Sequence, residues 1–576
     1  MSILIERRHA DPEAMADLAS ETPLLARIYA ARGVTDKRQL DNGLSQLIEP
    51  GLLKGIEGAV ARLQQALDQQ QRILVVADFD CDGATACAVA LRGLAMLGAQ
   101  HLDYIVPNRF EYGYGLSPEI VAVAATRKPD LIITVDNGIA SIEGVTAANQ
   151  LGIDVLVTDH HLAANQLPEA VAIVNPNQPG DRFPSKNLAG VGVIFYLLLA
   201  LRRALREQQW FVEQNLAEPN LASLLDLVAL GTVADVVALD HNNRILVSQG
   251  LARIRSGRCC AGIRAILQIA GRNPSDISSS DLGFMVGPRL NAAGRLDEMS
   301  LGIECLLTDD PTQATNIANE LDGLNRDRRS IEQGMQQQAM QILDKMELDE
   351  ALPVGLCLYD ETWHQGVVGI LASRIKEKLH CPVIAFAPAD DGSGQIKGSA
   401  RSVSGVHIRD VLDALASHNP GLLNKFGGHA MAAGLTLAAE NFTPFKQLFD
   451  QEVQRHLSRD QLRGVIHSDG ELAVDEFNQT TAELLRHASP WGQAFAEPVF
   501  DGVFTLQSRR IVGEKHLKLQ LRHGELSQVI DAIAFNKTDL EWPVKVSKVK
   551  VAYQLDINEF RGNRSLQLLV RYIEPV

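Results

Sequence analysis

A chain of 576 residues, 46% apolar and 22% charged, exceeds what one hydrophobic core organises and has the make-up of a folded protein of several domains. Its longest apolar run, residues 188–201, ends at Arg202 and Arg203, short of the ~20 residues that a membrane span needs. The net charge of −16 argues against a uniformly basic nucleic-acid binder, yet from residue 501 onward twelve Lys and Arg face nine Asp and Glu, so a basic groove on an acidic chain stays open.

Residues 1–48 read as a helical accessory segment, with Pro23-Leu24-Leu25 opening an amphipathic stretch. Between 49 and 310, short apolar runs at 73–77, 104–106, 131–135, 155–158 and 172–174 alternate with helical stretches such as 83–97 and 118–126. Apolar strands separated by helices predict an α/β domain, a parallel sheet covered on both faces, whose ligands gather at the carboxyl ends of the strands. Residues 311–346 predict one long connecting helix, broken by no proline and carrying only Gly323 and Gly334 inside it. A smaller α/β block follows at 347–457. The texture then changes to β-rich runs at 503–506, 517–521, 529–535, 545–555 and 566–570, which predict an OB-like β-barrel over 464–576.

The run Val75-Val76-Ala77-Asp78-Phe79-Asp80-Cys81-Asp82-Gly83 places three carboxylates at alternate positions after an apolar strand. Such groups repel one another unless cations compensate them, and hard oxygen ligands suit Mg²⁺ or Mn²⁺. A calcium loop also begins D-x-D-x-D-G, but it needs a preceding helix and a glutamate at its twelfth position, where Val89 stands. A solvated acidic turn is the plain alternative for the run taken alone. Two later strands end the same way: 131–135 runs into Asp136-Asn137-Gly138, and 155–158 into Asp159-His160-His161. Singly, Asp-Asn-Gly reads as a turn and a His pair as structural. Three consecutive strand-to-carboxylate junctions in one parallel sheet line up along one edge, and an imidazole adds a ligand suited to Mn²⁺. A fourth acid, Asp235, ends Gly231-Thr232-Val233-Ala234-Asp235 after a helical stretch.

In this order, Asp80 and Asp82, Asp136, Asp159-His160-His161 and Asp235 resemble the four motifs of the DHH phosphoesterase family, whose name stands unaltered in the third. The resemblance implies two metal ions bridged by Asp136. Asp80 with Asp78 would hold one; Asp82, His160 and Asp235 would hold the other. Asp136, Asp159 and His161 would form the catalytic centre, with His161 near the scissile phosphate. Several relatives have a histidine where Val76 stands; in the single-strand exonuclease branch an extra aspartate replaces it, a role that Asp78 fits. Gly427-Gly428-His429-Ala430-Met431-Ala432-Ala433-Gly434 resembles the signature of the DHHA1 domain, the usual partner of DHH. Its glycines let a backbone approach a phosphate, to which His429 can donate. Ser399 and Arg401, two residues apart, can face one phosphate together. Trp363-His364-Gln365-Gly366 is a further match, with packing at a helix start as its alternative.

Two more segments, 107–116 and 287–295, are similar to the exonuclease branch. They offer Arg109, Arg289, Asn291 and Arg295 for substrate contacts, and Tyr112 and Tyr114 for stacking on bases. Trp491, Phe495, Arg509, Arg510, Lys515 and Lys518 are candidate contacts of the barrel. The resemblance implies a 5′→3′ exonuclease that uses two Mn²⁺ or Mg²⁺ ions to hydrolyse single-stranded DNA to 5′-mononucleotides, in recombination, mismatch repair and stalled-fork processing. A 5′-phosphate pocket of Arg109, Ser399 and Arg401 would set the polarity. A single-strand binding protein and a RecQ-type helicase are the implied partners, and the protein is expected to act as a monomer away from membranes. Seven cysteines without Cys-x-x-Cys spacing, and no apolar leader in Met-Ser-Ile-Leu-Ile-Glu-Arg-Arg, predict a cytoplasmic protein with reduced thiols. Two other readings stay open: a DHH enzyme for short oligonucleotides or cyclic dinucleotides, and a non-catalytic DNA-binding replication scaffold.

Overall fold

The computed structural model describes residues 3–108, 115–164, 166–349, 353–389, 392–458, 462–524, 528–537, 546–560 and 563–576. Its contacts divide the chain into two units, Ile5–Asp322 with His467–Val576, and Gly323–Ile466 with Met1–Leu4. The N-terminal segment, helical by its pattern, opens instead with strand β1 (Ile3–Arg7), followed by helices Pro12–Asp17 and Pro23–Ala30. Just past β1 the amide of Arg8 donates to the carbonyl of Ser468 at 2.7 Å, a partner too distant in sequence for local periodicity to reveal.

Five strands form the central sheet: β2 (Ile73–Ala77), β3 (Leu102–Ile105), β4 (Leu131–Val135), β5 (Asp154–Thr158) and β6 (Ala172–Val174). They pair in the order β3-β2-β4-β5-β6, every neighbour parallel. All five residues of β2 and of β4 are buried, as expected where helices cover both faces. Leu74, Val76, Ile132, Val155 and Val157 pack with Ile120, Val121 and Val145 of helices Pro118–Ala125 and Ile142–Gln150 on one face. Helices Ile56–Asp68, Cys81–Met96 and Gly190–Glu207 cover the other. Helices Leu225–Ala234, His241–Arg255, Ala261–Ile269, Gly287–Leu296 and Ser300–Leu307 complete this layer.

The long helix runs from Pro311 to Asp349, 39 residues or about 58 Å, three residues beyond the predicted end. The smaller unit holds a second sheet: β7 (Leu356–Tyr359), β8 (Val383–Pro388), β9 (Gln395–Arg401), β10 (Lys425–Gly428) and β11 (Ala432–Ala438), ordered β10-β11-β9-β8-β7. Ile384, Phe386, Ile396, Leu435 and Leu437 face a core shared with Val411 and Leu412 and with Phe445 and Phe449.

After β12 (Gly464–Ser468) the predicted barrel is present and closed. Strands β13 (Phe500–Val512), β14 (His516–His523), β15 (Ile530–Ala534), β16 (Lys548–Phe560) and β17 (Asn563–Pro575) follow the order β13-β14-β15-β17-β16, with β15 and β17 parallel. Register shifts at Leu506/Ser508 and Ala552/Tyr553 mark the bulges that bend a small sheet into closure. Several strands outrun their predicted limits because their ends, such as Ser508-Arg509-Arg510, are held by ladder pairing with β14 rather than by apolar alternation. Two expected barrel contacts are corrected by burial. Trp491 and Phe495 are 3% and 2% exposed and stacked at 5.3 Å. Arg32 lies over the indole at 5.3 Å and Arg244 over the phenyl at 4.2 Å. Both rings are packing groups between helix Pro23–Ala30 and the barrel's approach, closed to a nucleic acid.

Candidate active site

Each strand end winds its carboxylate into place. Beyond β2, Asp80 caps helix Cys81–Met96 by accepting from the amides of Asp82 at 2.9 Å and Gly83 at 3.1 Å. A Cβ at Gly83 would stand 2.4 Å from the Asp78 carbonyl, so only glycine permits this tight strand-to-helix turn. Asp82, in the first helical turn, accepts from the amides of Gly190 at 2.6 Å and Val191 at 3.0 Å. The start of helix Gly190–Glu207 thus holds that carboxylate where the helix dipole favours an anion. Beyond β4, Asp136 takes φ = 62°, a left-handed turn uncommon outside glycine. Asn137 steadies it by donating to the carbonyls of Val76 at 3.1 Å and Val135 at 2.9 Å. Beyond β5, Asp159 organises its own loop: Oδ1 accepts from the amides of His160 and His161 and from His161 Nδ1 at 2.7 Å, and Oδ2 accepts from the amide of Ile139.

The six side chains expected to bind metal converge. Ligand-type atoms of Asp78, Asp80 and Asp136, of Asp82, His160 and Asp235, and of Asp136, His160 and His161 form three groups, each within 4.8 Å. His160 Nε2 lies 3.1 Å from Asp136 Oδ1, 3.5 Å from Asp235 Oδ2 and 4.0 Å from Asp82 Oδ2. Asp136 and His160 each belong to two of these groups.

Burial with mutual repulsion sets the electrostatics. Burial and the charge of Asp235 raise Asp82 to about 7; burial and Asp80 raise Asp235 to about 7 as well. Asp136 is pushed well above the carboxylate range by burial and then by Asp82. Burial and the neighbouring His161 lower His160, keeping it a neutral imidazole. Burial opposes the charge on His161 too, but its hydrogen bond to Asp159 prevails and raises it to about 9. His160 Nε2 and Asp235 Oδ2 are buried atoms that make no hydrogen bond among the described residues. A cluster of carboxylates that resists ionisation, with a neutral imidazole aimed into it, fits a pair of hard divalent cations.

The other expected site residues separate into three kinds. Asn291 accepts from the amide of Cys81 at 2.8 Å and so fastens helix Gly287–Leu296 to the first acidic loop. Arg289 is buried and committed, to Asp322 Oδ1 through Nε at 2.9 Å and to the Met285 carbonyl through Nη1 at 2.6 Å; Arg295 stands in the last turn of the same helix. In the smaller unit, Arg401 donates to Ser399 Oγ at 3.0 Å, and both lie on the partly open face of β9. There Ser399 stands opposite Gly434 of β11, which stands opposite Gly427 of β10. A Cβ at either glycine would meet nothing, so a bare strip of backbone floors this face. His429 is exposed next to it. Trp363 is buried and donates to Gln338 at 2.9 Å, which favours packing for that motif. Arg109, Tyr112 and Tyr114 lie outside the described residues.

Asn175 and Asn177 escaped sequence reasoning. Asn175 Nδ2 donates to the His161 carbonyl at 2.9 Å and Asn177 Nδ2 to the His160 carbonyl at 2.6 Å. Their signal was an Asn-Pro-Asn directly after the β6 strand, but its targets are fourteen and seventeen residues earlier.

A parallel sheet whose strand ends carry these aspartates and the His pair defines the DHH class of phosphoesterases. The family model for the DHH family N-terminal domain matches residues 72–232, that for the DHHA1 domain residues 353–455, and that for the RecJ OB domain residues 468–572. The chain is 54% identical to the single-stranded-DNA-specific exonuclease RecJ of Dickeya dadantii, over 100% of both chains. Crystal structures of RecJ from Thermus thermophilus in complex with Mn²⁺ and with Mg²⁺ cover all of this chain and 80% and 78% of theirs, with TM-scores of 0.81 and 0.75 and identities of 30% and 29%. The chain belongs to the RecJ family.

Proposed function

We propose that this protein is a metal-dependent 5′→3′ exonuclease that hydrolyses single-stranded DNA to 5′-mononucleotides in recombination and repair. The observation that carries the reading is the convergence of His160 with Asp82, Asp136 and Asp235 within 4.0 Å. The names of its relatives support the substrate. Asp78, Asp80 and Asp136 would hold one Mn²⁺ or Mg²⁺, and Asp136, Asp82, His160 and Asp235 the other. When bound, such a pair supplies a water acidic enough to act as nucleophile and stabilises the leaving oxygen. The chain's own residues prepare the site. Asp159 orients the His161 ring through a hydrogen bond that favours its charged form, a donor suited to a phosphate oxygen. Asn175 and Asn177 fix the loop that carries both imidazoles.

A polymer substrate is favoured over short nucleotides by the outer face of the barrel. Arg510 is exposed there, opposite a Lys518 that pairs with Asp531 at 2.8 Å, and His516 lies edge-on to the exposed Phe535 at 5.0 Å. Basic residues and rings on strands of an OB-type barrel suit a single strand. A single-strand binding protein and a RecQ-type helicase would be partners of such an enzyme, acting in the cytoplasm; among the described residues no helix is long and apolar enough to cross a membrane.

Ser399 and Arg401, above a floor of glycine backbone, are assigned the 5′-phosphate of the strand. Burial lowers the Arg401 guanidinium from its ordinary value, and a phosphate would offset that cost. Comparing 5′-phosphorylated with 5′-hydroxyl oligonucleotides tests this. The wild type should favour the phosphorylated strand by about tenfold or more, as expected for a charge-assisted bidentate contact, and Arg401→Ala should not discriminate. Equal discrimination in both proteins would refute the assignment.

A further inference from the structure

Two large apolar side chains stand exposed on elements that adjoin the acidic cluster in sequence or in packing, each on backbone of an unusual kind. Val236 directly follows Asp235, is 63% exposed and takes φ = 62°, a region that β-branched residues avoid. Phe284 is 69% exposed and sits in a π-helical turn, Leu282–Val286. Such turns are rare and concentrate at functional sites.

The π turn is built into the site from both sides. A Cβ at Gly283 would lie 3.3 Å from the Val233 side chain, and one at Gly287 would lie 3.3 Å from Ala234, the two residues before Asp235. Arg289 Nη1 occupies the Met285 carbonyl at 2.6 Å while Asp322 receives its Nε, which explains why that arginine is buried. Seven residues past Phe284, Asn291 holds the amide of Cys81 between Asp80 and Asp82. Gly294 lies so close to the same loop that a Cβ there would stand 2.0 Å from the Phe79 carbonyl. The exposed ring therefore belongs to an element braced against the Asp235 helix at one end and the first acidic loop at the other.

Phe284 contributes little to the core by burial and brings no charge to a metal or a phosphate. An exposed ring on an element braced against both the Asp235 helix and the first acidic loop is suited to a flat apolar partner. We propose that Phe284 stacks on a nucleobase of the strand undergoing hydrolysis, with Val236 as the apolar edge beside Asp235. The contact grips the strand without regard to base identity, since every base offers a π-face. This rests on the single-strand exonuclease reading above, which the experiment keeps separate.

The experiment pairs protein and substrate changes. Single-stranded oligonucleotides carrying one abasic site, stepped along the first six positions from the 5′ end, are bound to wild type, Phe284→Ala and Phe284→Trp with Ca²⁺ replacing the catalytic metal. Thermal melting of each variant checks that it is folded. At one position the wild type should lose about 5- to 150-fold in affinity when the base is removed, the range of one base–aromatic stack. Phe284→Ala should bind the intact strand as weakly as the wild type binds that abasic strand, with no further loss, and Phe284→Trp should keep the wild-type pattern. If folded Phe284→Ala binds the intact strand as tightly as the wild type, or keeps the same abasic penalty, the stacking proposal is wrong. If the wild type releases no nucleotides from single-stranded DNA with Mn²⁺ or Mg²⁺, the exonuclease reading itself fails.

Discussion

Asp159 is one of the three residues that the family resemblance placed at the catalytic centre, and its geometry gives it a distinct task. Both of its oxygens are engaged, with the amides of Ile139, His160 and His161 and with the His161 ring, so it orients the imidazoles. Asn175 and Asn177 finish that task from the backbone side. Asn177→Ala should therefore lower Mn²⁺ affinity or turnover by about 10- to 100-fold, the usual cost of losing a partner behind a metal ligand, while the thermal transition changes little; a Mn²⁺ titration of activity measures it. The carboxylates give a second residue-level expectation. Asp82 and Asp235 titrate near 7 in the folded protein, against about 4 when exposed in the unfolded chain. Between those values the folded state holds protons that the unfolded state has released, so metal-free stability falls as pH rises from about 4 to 7. A divalent cation displaces those protons and reverses the loss. The metal-free melting temperature should drop between pH 5 and pH 8, and the rise on adding Mn²⁺ should be larger at pH 8. A metal-induced rise that is larger at pH 5 would show that repulsion among these carboxylates does not govern the site.

At the scale of elements, the catalytic sheet was legible because β2, β4 and β5 are largely buried apolar runs ending in a polar junction, whereas the edge strand β3 is only partly buried. The strands lie within two residues of expectation: 104–106 became Leu102–Ile105 and 155–158 became Asp154–Thr158. What stayed hidden depends on pairings across long sequence distances. The grip of the Gly190–Glu207 helix on Asp82 spans 108 residues, β1 carries no local sign of its pairing, and Trp491 and Phe495 look like stacking residues until their neighbours Tyr29, Arg32 and Arg244 are in place. Arg289 resembles a substrate contact in sequence for the same reason; its partners Asp322 and Met285 turn it inward. The close approach of two elements at the site can be tested at Gly190, where a Cβ would fall 2.5 Å from Asp136 Cβ. Gly190→Ala should cost about 1–3 kcal/mol of stability by overpacking and depress hydrolysis as Asp136 shifts. Gly323→Ala, inside the long helix with open space around it, should instead be neutral or stabilising by up to about 1 kcal/mol. Denaturant unfolding compares the two, and a larger loss at Gly323 would contradict the packing described.

For the whole molecule, the charge of −16 is reconciled with a nucleic-acid substrate by how the charge is distributed. Five of the 70 acidic side chains converge in one metal-type cluster, while Arg510 and Arg522 are exposed on barrel strands β13 and β14. The sequence alone carried the site's ligand types, because strand ends in a parallel sheet converge by construction; the residues that hold those ligands had to await the fold. The most direct test of the account is time-resolved product sizing on 5′- and 3′-end-labelled single-stranded DNA, with Mn²⁺ or Mg²⁺, for the wild type and Asp136→Ala. The account predicts labelled mononucleotide from the 5′ end at the earliest times, stepwise shortening of the 3′-labelled strand, and a loss on the order of 10³-fold or more in Asp136→Ala. Release of internal oligonucleotides first, or cleavage unaffected by Asp136→Ala, would contradict it.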